Sequence, residues 1–153
     1  MTMAKAESGL RPVFSAQPAD SLEIPGQIHA AMIEHCLREA PLECCGILGG
    51  LNGRVQSFHP LRNVAASETR YDADPRDLIQ AVVQLRELGL ELVGIYHSHP
   101  RWEAVPSTTD LLENHYGAIP RLIVSLLTDP PMTRVWRLNP ESFHELPWKL
   151  VEP

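Results

Sequence analysis

The sequence lacks the features that mark membrane, secreted or nucleic-acid-binding proteins. No apolar run approaches membrane-spanning length, and the first twenty residues hold no apolar core of signal-peptide length. No cluster of Lys and Arg stands out and the net charge is −6, so we expect neither a nucleic-acid nor an anionic-membrane partner. There is also no internal repeat and no low-complexity segment.

Cysteine is scarce, and its arrangement excludes a disulfide framework. The three cysteines, Cys36, Cys44 and Cys45, are odd in number, two of them are adjacent, and no Cys-x-x-Cys pair occurs. Buried free thiols in a reducing compartment are the expected state of all three. The sequence therefore predicts a cytoplasmic protein.

The length and composition are sufficient for one sizeable core. A chain of 153 residues with 44% hydrophobic residues is expected to form a single domain. Residues 1–20 mix charged and small side chains and are predicted to be a mobile lead-in. The domain itself is predicted over residues 21–153.

Hydrophobic periodicity predicts alternating helices and strands, separated by Pro and Gly breaks. Helices are predicted over residues 25–40, 74–89 and 107–116. Strands are predicted over residues 43–50, 54–61, 90–99, 122–127, 133–138 and 142–146. The Asn52-Gly53 pair is a strong hairpin signal between the first two strands. This order predicts an α/β fold, a three-layer sandwich around a mixed sheet.

Two histidines at the end of the strand 90–99 are the first candidates for chemistry. Because strand side chains alternate between faces, His97 and His99 should share a face, while Ser98 points away. Pro100 ends the strand, and Ser107 is placed to cap the next helix with Asp110 in its first turn. Two imidazoles, one carboxylate and an open fourth position are typical of a catalytic zinc site.

Each of these pieces also has a structural explanation. A His-x-His pair on a strand is common by chance, and Ser-x-x-Asp before an apolar run is a standard capping box. It is their combination in one order, with Pro breaks fixing the loop between them, that favours a metal site.

Glu43 is the candidate general base. It is a lone carboxylate at the start of an apolar, glycine-flanked strand, where burial would raise its pKa toward neutral. A solvated acid at a strand end is the alternative, and the residue pattern alone leaves both open.

The combination of Glu43, His97-Ser98-His99, seven residues, Ser107, two residues and Asp110 resembles the JAMM signature of MPN-domain zinc metalloproteases. The surrounding segments, residues 41–49 and 92–100, extend the resemblance, which covers roughly residues 24–140. The resemblance implies a cytidine-deaminase-like α/β/α sandwich.

The resemblance also implies roles for the matching residues. His97, His99 and Asp110 would bind one zinc ion per chain, with water as the fourth ligand. Glu43 would be the general acid/base. Ser107 would donate a hydrogen bond to the oxyanion that forms on the scissile carbonyl.

Members of this family cleave peptide or isopeptide bonds after the Gly-Gly tail of ubiquitin-like proteins. With 43 residues after Asp110 and no long insertions, the chain resembles small prokaryotic members that act on β-grasp sulfur-carrier proteins. We expect a groove for the Gly-Gly tail, bordered by Asn63 to Tyr71, because an extended tail pairs well with a strand edge.

Three alternatives are weaker. A catalytically silent MPN scaffold that binds partner proteins would typically have lost ligands, and all are present here. A DNA-repair-associated JAMM-like protein is disfavoured by the Glu-Cys-Cys-Gly context of Glu43 and by the absence of a preceding helix-hairpin-helix region. A nucleobase deaminase would need a His-x-Glu and a Pro-Cys-x-x-Cys, and neither occurs.

Overall fold

The structure, a computed structural model, describes residues 12–153 and contains eight strands and three helices there. The strands are β1 (Leu22–Pro25), β2 (Cys45–Leu51), β3 (Arg54–Leu61), β4 (Glu91–His99), β5 (Arg121–Ser125), β6 (Met132–Leu138), β7 (Phe143–Leu146) and β8 (Trp148–Val151). The helices are α1 (Gly26–Glu39), α2 (Pro75–Leu88) and α3 (Thr108–Leu112). Among these residues, no helix is long and apolar enough to cross a membrane.

All eight strands form one mixed sheet in the order β7-β6-β5-β4-β2-β3-β1-β8. β4 lies at its centre, antiparallel to β2 and parallel to β5. The hairpin predicted at Asn52-Gly53 is present, and both residues have the positive φ angles, 54° and 78°, that such tight turns require.

The two faces of the sheet carry separate cores. On one face, Met32 and Cys36 of α1 pack against alternate strand residues such as Leu48 and Tyr96. On the other face, Leu85 of α2 packs against the intervening residues of the same strands. This second face also carries α3, since Leu111 packs against the core that contains Ile123. The predicted three-layer α/β/α sandwich around a mixed sheet is therefore confirmed.

Local signals position α2 as predicted. The side chain of Asp74 accepts hydrogen bonds from the backbone N–H groups of Arg76 and Asp77, and Pro75 occupies the first helical position. Gly89 ends the helix in the left-handed conformation, at φ 70°.

The third helix is much shorter than predicted. Instead of continuing to residue 116, it ends at Leu112 after five residues. Leu112 is 77% exposed, so the apolar residues at the end of the predicted helix do not all face the core. Asn114 closes the following segment by accepting from the N–H of Tyr116 and donating to the carbonyl of Gly117.

Two short strands were not predicted from the sequence. β1 and β8, each of four residues, pair in parallel and extend the sheet beyond β3. The lead-in predicted over residues 1–20 lies outside the described residues up to residue 11, and its mobility stays a prediction. Val13 is buried, and its carbonyl accepts from the N–H of Leu92.

Candidate functional site

His97 and His99 occupy the end of the central strand, on the face that carries α2 and α3. His97 lies between Cys45 of β2 and Ile123 of β5 in the sheet register. Both side chains are buried, and their Nε2 atoms are 3.1 Å apart. Ser98 faces the opposite side, where its Oγ accepts a hydrogen bond of 2.9 Å from the N–H of Cys44. The predicted alternation is therefore confirmed.

Asp110 reaches the same point from the first turn of α3. Its Oδ1 lies 3.1 Å from His97 Nε2, and its Oδ2 lies 3.2 Å from His99 Nε2. Ser107 fixes this position through a reciprocal capping box. The N–H of Asp110 donates to Ser107 Oγ at 3.0 Å, and the N–H of Ser107 donates to Asp110 Oδ2 at 2.8 Å.

The donor atoms of His97, His99 and Asp110 suit a single metal ion. They all lie within 4.8 Å of one another, and no other such group of three occurs among residues 12–153. Tetrahedral coordination at bond lengths of about 2.0–2.1 Å separates neighbouring ligand atoms by about 3.3 Å. The observed separations of 3.1–3.2 Å match this edge, so the residues fit a tetrahedral cation.

The ring of His99 is oriented by the loop of residues 100–106, which we call the 100–106 loop. His99 Nδ1 donates to the carbonyl of Glu103 at 2.7 Å, which leaves the Nε2 lone pair for a metal. The two neighbouring carbonyls are also bound, Trp102 O by Ser125 Oγ and Ala104 O by the indole N–H of Trp136. This loop is thus held at three consecutive residues.

The charges of the cluster favour an ionised carboxylate beside the imidazoles. Burial alone would raise the pKa of Asp110, but the two histidines and the N–H of Ser107 hold it far below its usual range. Burial opposes the charged form of His99, yet its contact with Asp110 raises its pKa. Asp110 therefore stays an anion, as a metal ligand must.

Glu43 lies next to the cluster, two residues before β2. Only 3% of it is exposed, and its Oε1 has no hydrogen-bond partner among the described residues. Burial raises the pKa of Glu43 to about 8, against the opposing effect of the nearby His99. Cys44 ties this segment to the end of β4 through its N–H on Ser98 Oγ and its carbonyl, which accepts from the N–H of Ser98.

Residues 63–71, the 63–71 loop, lie against this corner of the site. The Asn63 side chain donates to the carbonyl of Glu43 at 2.9 Å, and the N–H of Glu43 donates to the carbonyl of Ser67 at 2.8 Å. At the end of the loop, the ring of Tyr71 stacks on His97 with centroids 4.7 Å apart. The loop predicted as a groove border is therefore adjacent to the metal cluster.

Sequence patterns placed Asn63 to Tyr71 at the border of the site, but they did not predict which contacts individual loop residues make there. Tyr71, the carbonyl of Glu103 and the side chain of Asn63 come from loops with no periodic signal. Three further histidines lie outside the cluster and have partners of their own: His29 Nε2 is 3.0 Å from Thr133 Oγ1, His35 Nδ1 is 2.7 Å from the Tyr96 hydroxyl, and His59 is within hydrogen-bond distance of Ser57 and Gln84.

Comparison with known proteins decides the family. Residues 25–139 match the family model described as prokaryotic homologs of the JAB domain. The chain belongs to this family. The matched range contains Glu43, the histidine pair, Ser107 and Asp110.

Three similar proteins have descriptive names. A "probable TtuB-protein conjugate cleaving protease" of Thermus thermophilus is 46% identical over 80 residues, which is 52% of this chain and 53% of the relative. A "desampylase" of Haloferax volcanii is 39% identical over 75 residues, 47% of this chain and 54% of the relative. A "CysO-cysteine peptidase" of Mycobacterium tuberculosis is 35% identical over 92 residues, 59% of this chain and 63% of the relative. The chain thus matches between about half and two thirds of each relative.

The fold also has solved counterparts. A protein from Desulfitobacterium hafniense, solved in solution, superposes with a TM-score of 0.80 at 28% identity, covering 86% of this chain and 94% of that one. A JAB1/MPN domain protein from Archaeoglobus fulgidus superposes with a TM-score of 0.57 at 18% identity, covering 86% and 98%, and shows the fold alone.

Proposed function

We propose that this protein is a zinc-dependent peptidase or isopeptidase that hydrolyses the bond after the C-terminal Gly-Gly of a ubiquitin-like sulfur-carrier protein. The observation that carries the proposal is that a candidate metal-binding cluster and a candidate general base lie side by side in a buried part of the protein. The ligand atoms of His97, His99 and Asp110 converge there. The carboxyl group of Glu43 lies beside them, and its Oε1 has no hydrogen-bond partner among the described residues.

The ligand set favours zinc over other divalent cations. Two imidazole nitrogens and one carboxylate oxygen are common catalytic zinc ligands, whereas Mg²⁺ and Ca²⁺ prefer oxygen alone. A zinc ion held there would polarise the scissile carbonyl and lower the pKa of a water molecule to about 7.

Glu43 is the residue that moves the proton. Its buried Oε1 accepts the proton of the attacking water and then delivers it to the leaving amine as the C–N bond breaks. Because burial raises the pKa of Glu43 toward neutrality, the ionised carboxylate can take up that proton and the resulting acid can release it to the amine.

Ser107 has a hydroxyl that suits the oxyanion. Its Oγ already accepts from the N–H of Asp110, so its own O–H remains available as a donor. Donating that proton to the developing oxyanion would stabilise the transition state, while the capping box keeps the hydroxyl in place.

The substrate class rests on the relatives and on the composition. Two of the relatives are named as a TtuB-protein conjugate cleaving protease and a CysO-cysteine peptidase, which supports a conjugate of a ubiquitin-like protein as the substrate. The 63–71 loop borders the site and is our choice for the groove wall. A net charge of −6 disfavours nucleic acid, and three buried free cysteines fit the cytoplasm.

The test uses fusions of a β-grasp carrier protein to a short peptide through Gly-Gly, with matched fusions in which both glycines are Ala. Mass spectrometry should find cleavage directly after the second glycine, and a zinc chelator should block it. The Ala-Ala fusions should be cut far more slowly, because side chains at these positions would meet the groove walls.

Two results would contradict the proposal. Equal cleavage of the Gly-Gly and Ala-Ala fusions, or faster digestion of a generic unfolded protein, would indicate a broad metallopeptidase. No cleavage of any fusion by zinc-loaded protein would favour a catalytically silent scaffold.

A further inference from the structure

Arg121 is a buried cation that the proposed chemistry does not use. Only 2% of this residue is exposed, and its Nε has no hydrogen-bond partner among the described residues. No carboxylate within residues 12–153 forms an ion pair with it at 4.0 Å or less. Buried charges are normally paired, because removing a charge from water is costly. A buried guanidinium without an ion-pair partner therefore indicates a site for an anion.

Arg121 lies close to the metal cluster along the sheet. It starts β5 and pairs with Ile95, which precedes His97 by two residues on the same face. That offset corresponds to about 7 Å along a strand, within reach of an arginine side chain. The Arg121 side chain is thus directed to the region beside His97.

A pocket of about 160 Å³ lies between Arg121 and the Asp110 edge of the cluster. Arg121 lines it together with Asp110, a predicted metal ligand, and Tyr71, whose ring stacks on His97. A group bonded to the reacting carbonyl can therefore extend from the metal cluster into this pocket, which we call the Arg121 pocket.

The guanidinium is held in place without being neutralised. One Nη atom of Arg121 donates to the side-chain oxygen of Asn114, and the guanidinium carbon lies 5.8 Å from the ring centroid of Tyr116. Both partners are uncharged, so they orient the group and leave its charge and its Nε available.

The acidic residues of the pocket do not cancel this cation. Glu113 and Asp72 are both exposed at the rim, and Glu113 pairs with Arg70 at 3.9 Å. The charge of Asp110 faces the two histidines. Arg121 therefore keeps a charge that no carboxylate of the pocket pairs with at 4.0 Å or less.

We propose that the Arg121 pocket binds the α-carboxylate of a single amino acid attached to the carrier's Gly-Gly, and that Arg121 determines specificity for this leaving group. The inference rests on the proposed function. An amino acid joined through its α-amino group carries its carboxylate two bonds from the scissile nitrogen, and a guanidinium binds such a group through two parallel hydrogen bonds. A lysine side chain in an isopeptide bond carries no carboxylate there.

The reaction balances without a co-reactant. The carbonyl carbon of the last glycine gains the hydroxyl of water as the C–N bond breaks. The amine of the amino acid takes the proton, and its carboxylate stays ionised on Arg121 throughout.

The experiment compares three extensions of one Gly-Gly carrier on the zinc-loaded protein at pH 7.5. These are Ala with a free carboxylate, Ala with a C-terminal amide, and Ala-Ala, in which the carboxylate is moved by one residue. The kcat/KM for the free Ala acid should exceed that for either other substrate by about 10–100-fold, the value of a charged hydrogen bond. This comparison needs only the wild-type protein.

Variants test whether the preference for the free carboxylate depends on Arg121. Arg121→Met should lose the preference for the acid over the amide, and Arg121→Lys should keep part of it. Arg54→Met, which removes a partly exposed arginine at the far hairpin, should keep the wild-type ratio.

The outcomes separate this inference from the proposed function. Equal cleavage of acid and amide by the wild type would overturn the Arg121 pocket and leave the peptidase intact. If folded Arg121→Met still prefers the free acid over the amide, another residue binds the carboxylate and the assignment to Arg121 is overturned. Absence of cleavage of all three substrates, and of the Gly-Gly peptide fusions, would instead contradict the proposed function.

Discussion

The two faces of β4 both carry buried titratable side chains, but they differ in whether those side chains have complementary hydrogen-bond partners. His97 and His99 point to one face, and the intervening residues Tyr96 and Ser98 point to the other. Both faces bury histidine and further titratable groups. On the first face, however, lone pairs converge on one another, while on the second each hydrogen-bonding group meets a complementary partner.

The second face shows a closed polar network. His35 Nδ1 lies 2.7 Å from the hydroxyl of Tyr96, and Ser98 Oγ accepts from the N–H of Cys44. The thiols of Cys36 and Cys44 are 3.3 Å apart. Helix α1 covers this network, and Gly46 makes room for the Tyr96 ring, since a Cβ on Gly46 would lie 2.3 Å from it.

The difference between the two faces shows what distinguishes a candidate functional site from a core whose buried polar groups all have hydrogen-bond partners. Burial of polar groups is common to both faces, so it does not identify chemistry. The first face instead has three ligand atoms facing one point, together with Glu43 Oε1 and His97 Nδ1, which have no hydrogen-bond partner among the described residues. Unpaired buried groups are costly, and a catalytic role or a bound ion is a reason for them to persist.

Replacement of Glu43 should give the largest effect on the first face. Glu43→Gln cannot accept a proton, so kcat should fall by about 10²–10⁴-fold while the fold and the zinc content remain. Steady-state kinetics with a Gly-Gly fusion and elemental analysis measure both quantities. Glu39→Gln, an exposed acid at the end of α1, is the control for loss of charge. A fall in zinc content along with activity would mean that Glu43 is a ligand.

Replacement of Ser107 should lower the rate less than replacement of Glu43. It separates a role in binding the oxyanion from a role in capping α3. Ser107→Ala should lower kcat by about 10²–10³-fold if its hydroxyl serves the oxyanion. If Ser107 only caps α3, the same change should cost about 1 kcal/mol of unfolding free energy with little effect on rate. Rates and denaturant unfolding are measured together, with Ser107→Thr as the variant that keeps a hydroxyl. Unchanged kinetics with reduced stability would assign Ser107 to the capping box alone.

On the second face, the expected effect is on stability. Tyr96→Phe removes the hydroxyl that meets His35 Nδ1 and leaves a buried nitrogen unpaired, which should cost about 1–3 kcal/mol of unfolding free energy. Zinc content and kcat at a temperature well below unfolding should match the wild type. A folded Tyr96→Phe protein that loses zinc would show that the two faces are not independent.

The sequence was sufficient for the parts of the site that follow local rules. Strand alternation placed His97 and His99 on one face, and the capping pattern placed Asp110 in the first turn of a helix after Ser107. These features depend on neighbours in the chain, so the residue pattern predicts them. For Glu43 the residue pattern left burial and solvent exposure open, and the structure shows it buried.

Features that depend on distant contacts were missed. β1 and β8 are too short for periodicity, and they form because residues more than 100 positions apart pair. Arg121, the first residue of β5, was not predicted at the site, and Tyr71 was predicted only as part of the groove border and not as a ring stacked on His97. The predicted end of α3 was wrong because the capping pattern marks where a helix begins and carries no signal for where it ends.

Zinc stoichiometry tests the central claim most directly. Elemental analysis should find one zinc per chain in the wild type, none in His97→Ala/His99→Ala, and one in His35→Gln, which alters the opposite face of the same sheet. All three proteins should be folded by circular dichroism. Equal zinc in the wild type and the double variant, or loss of zinc in folded His35→Gln alone, would contradict the assignment of the metal to the His97–His99 face.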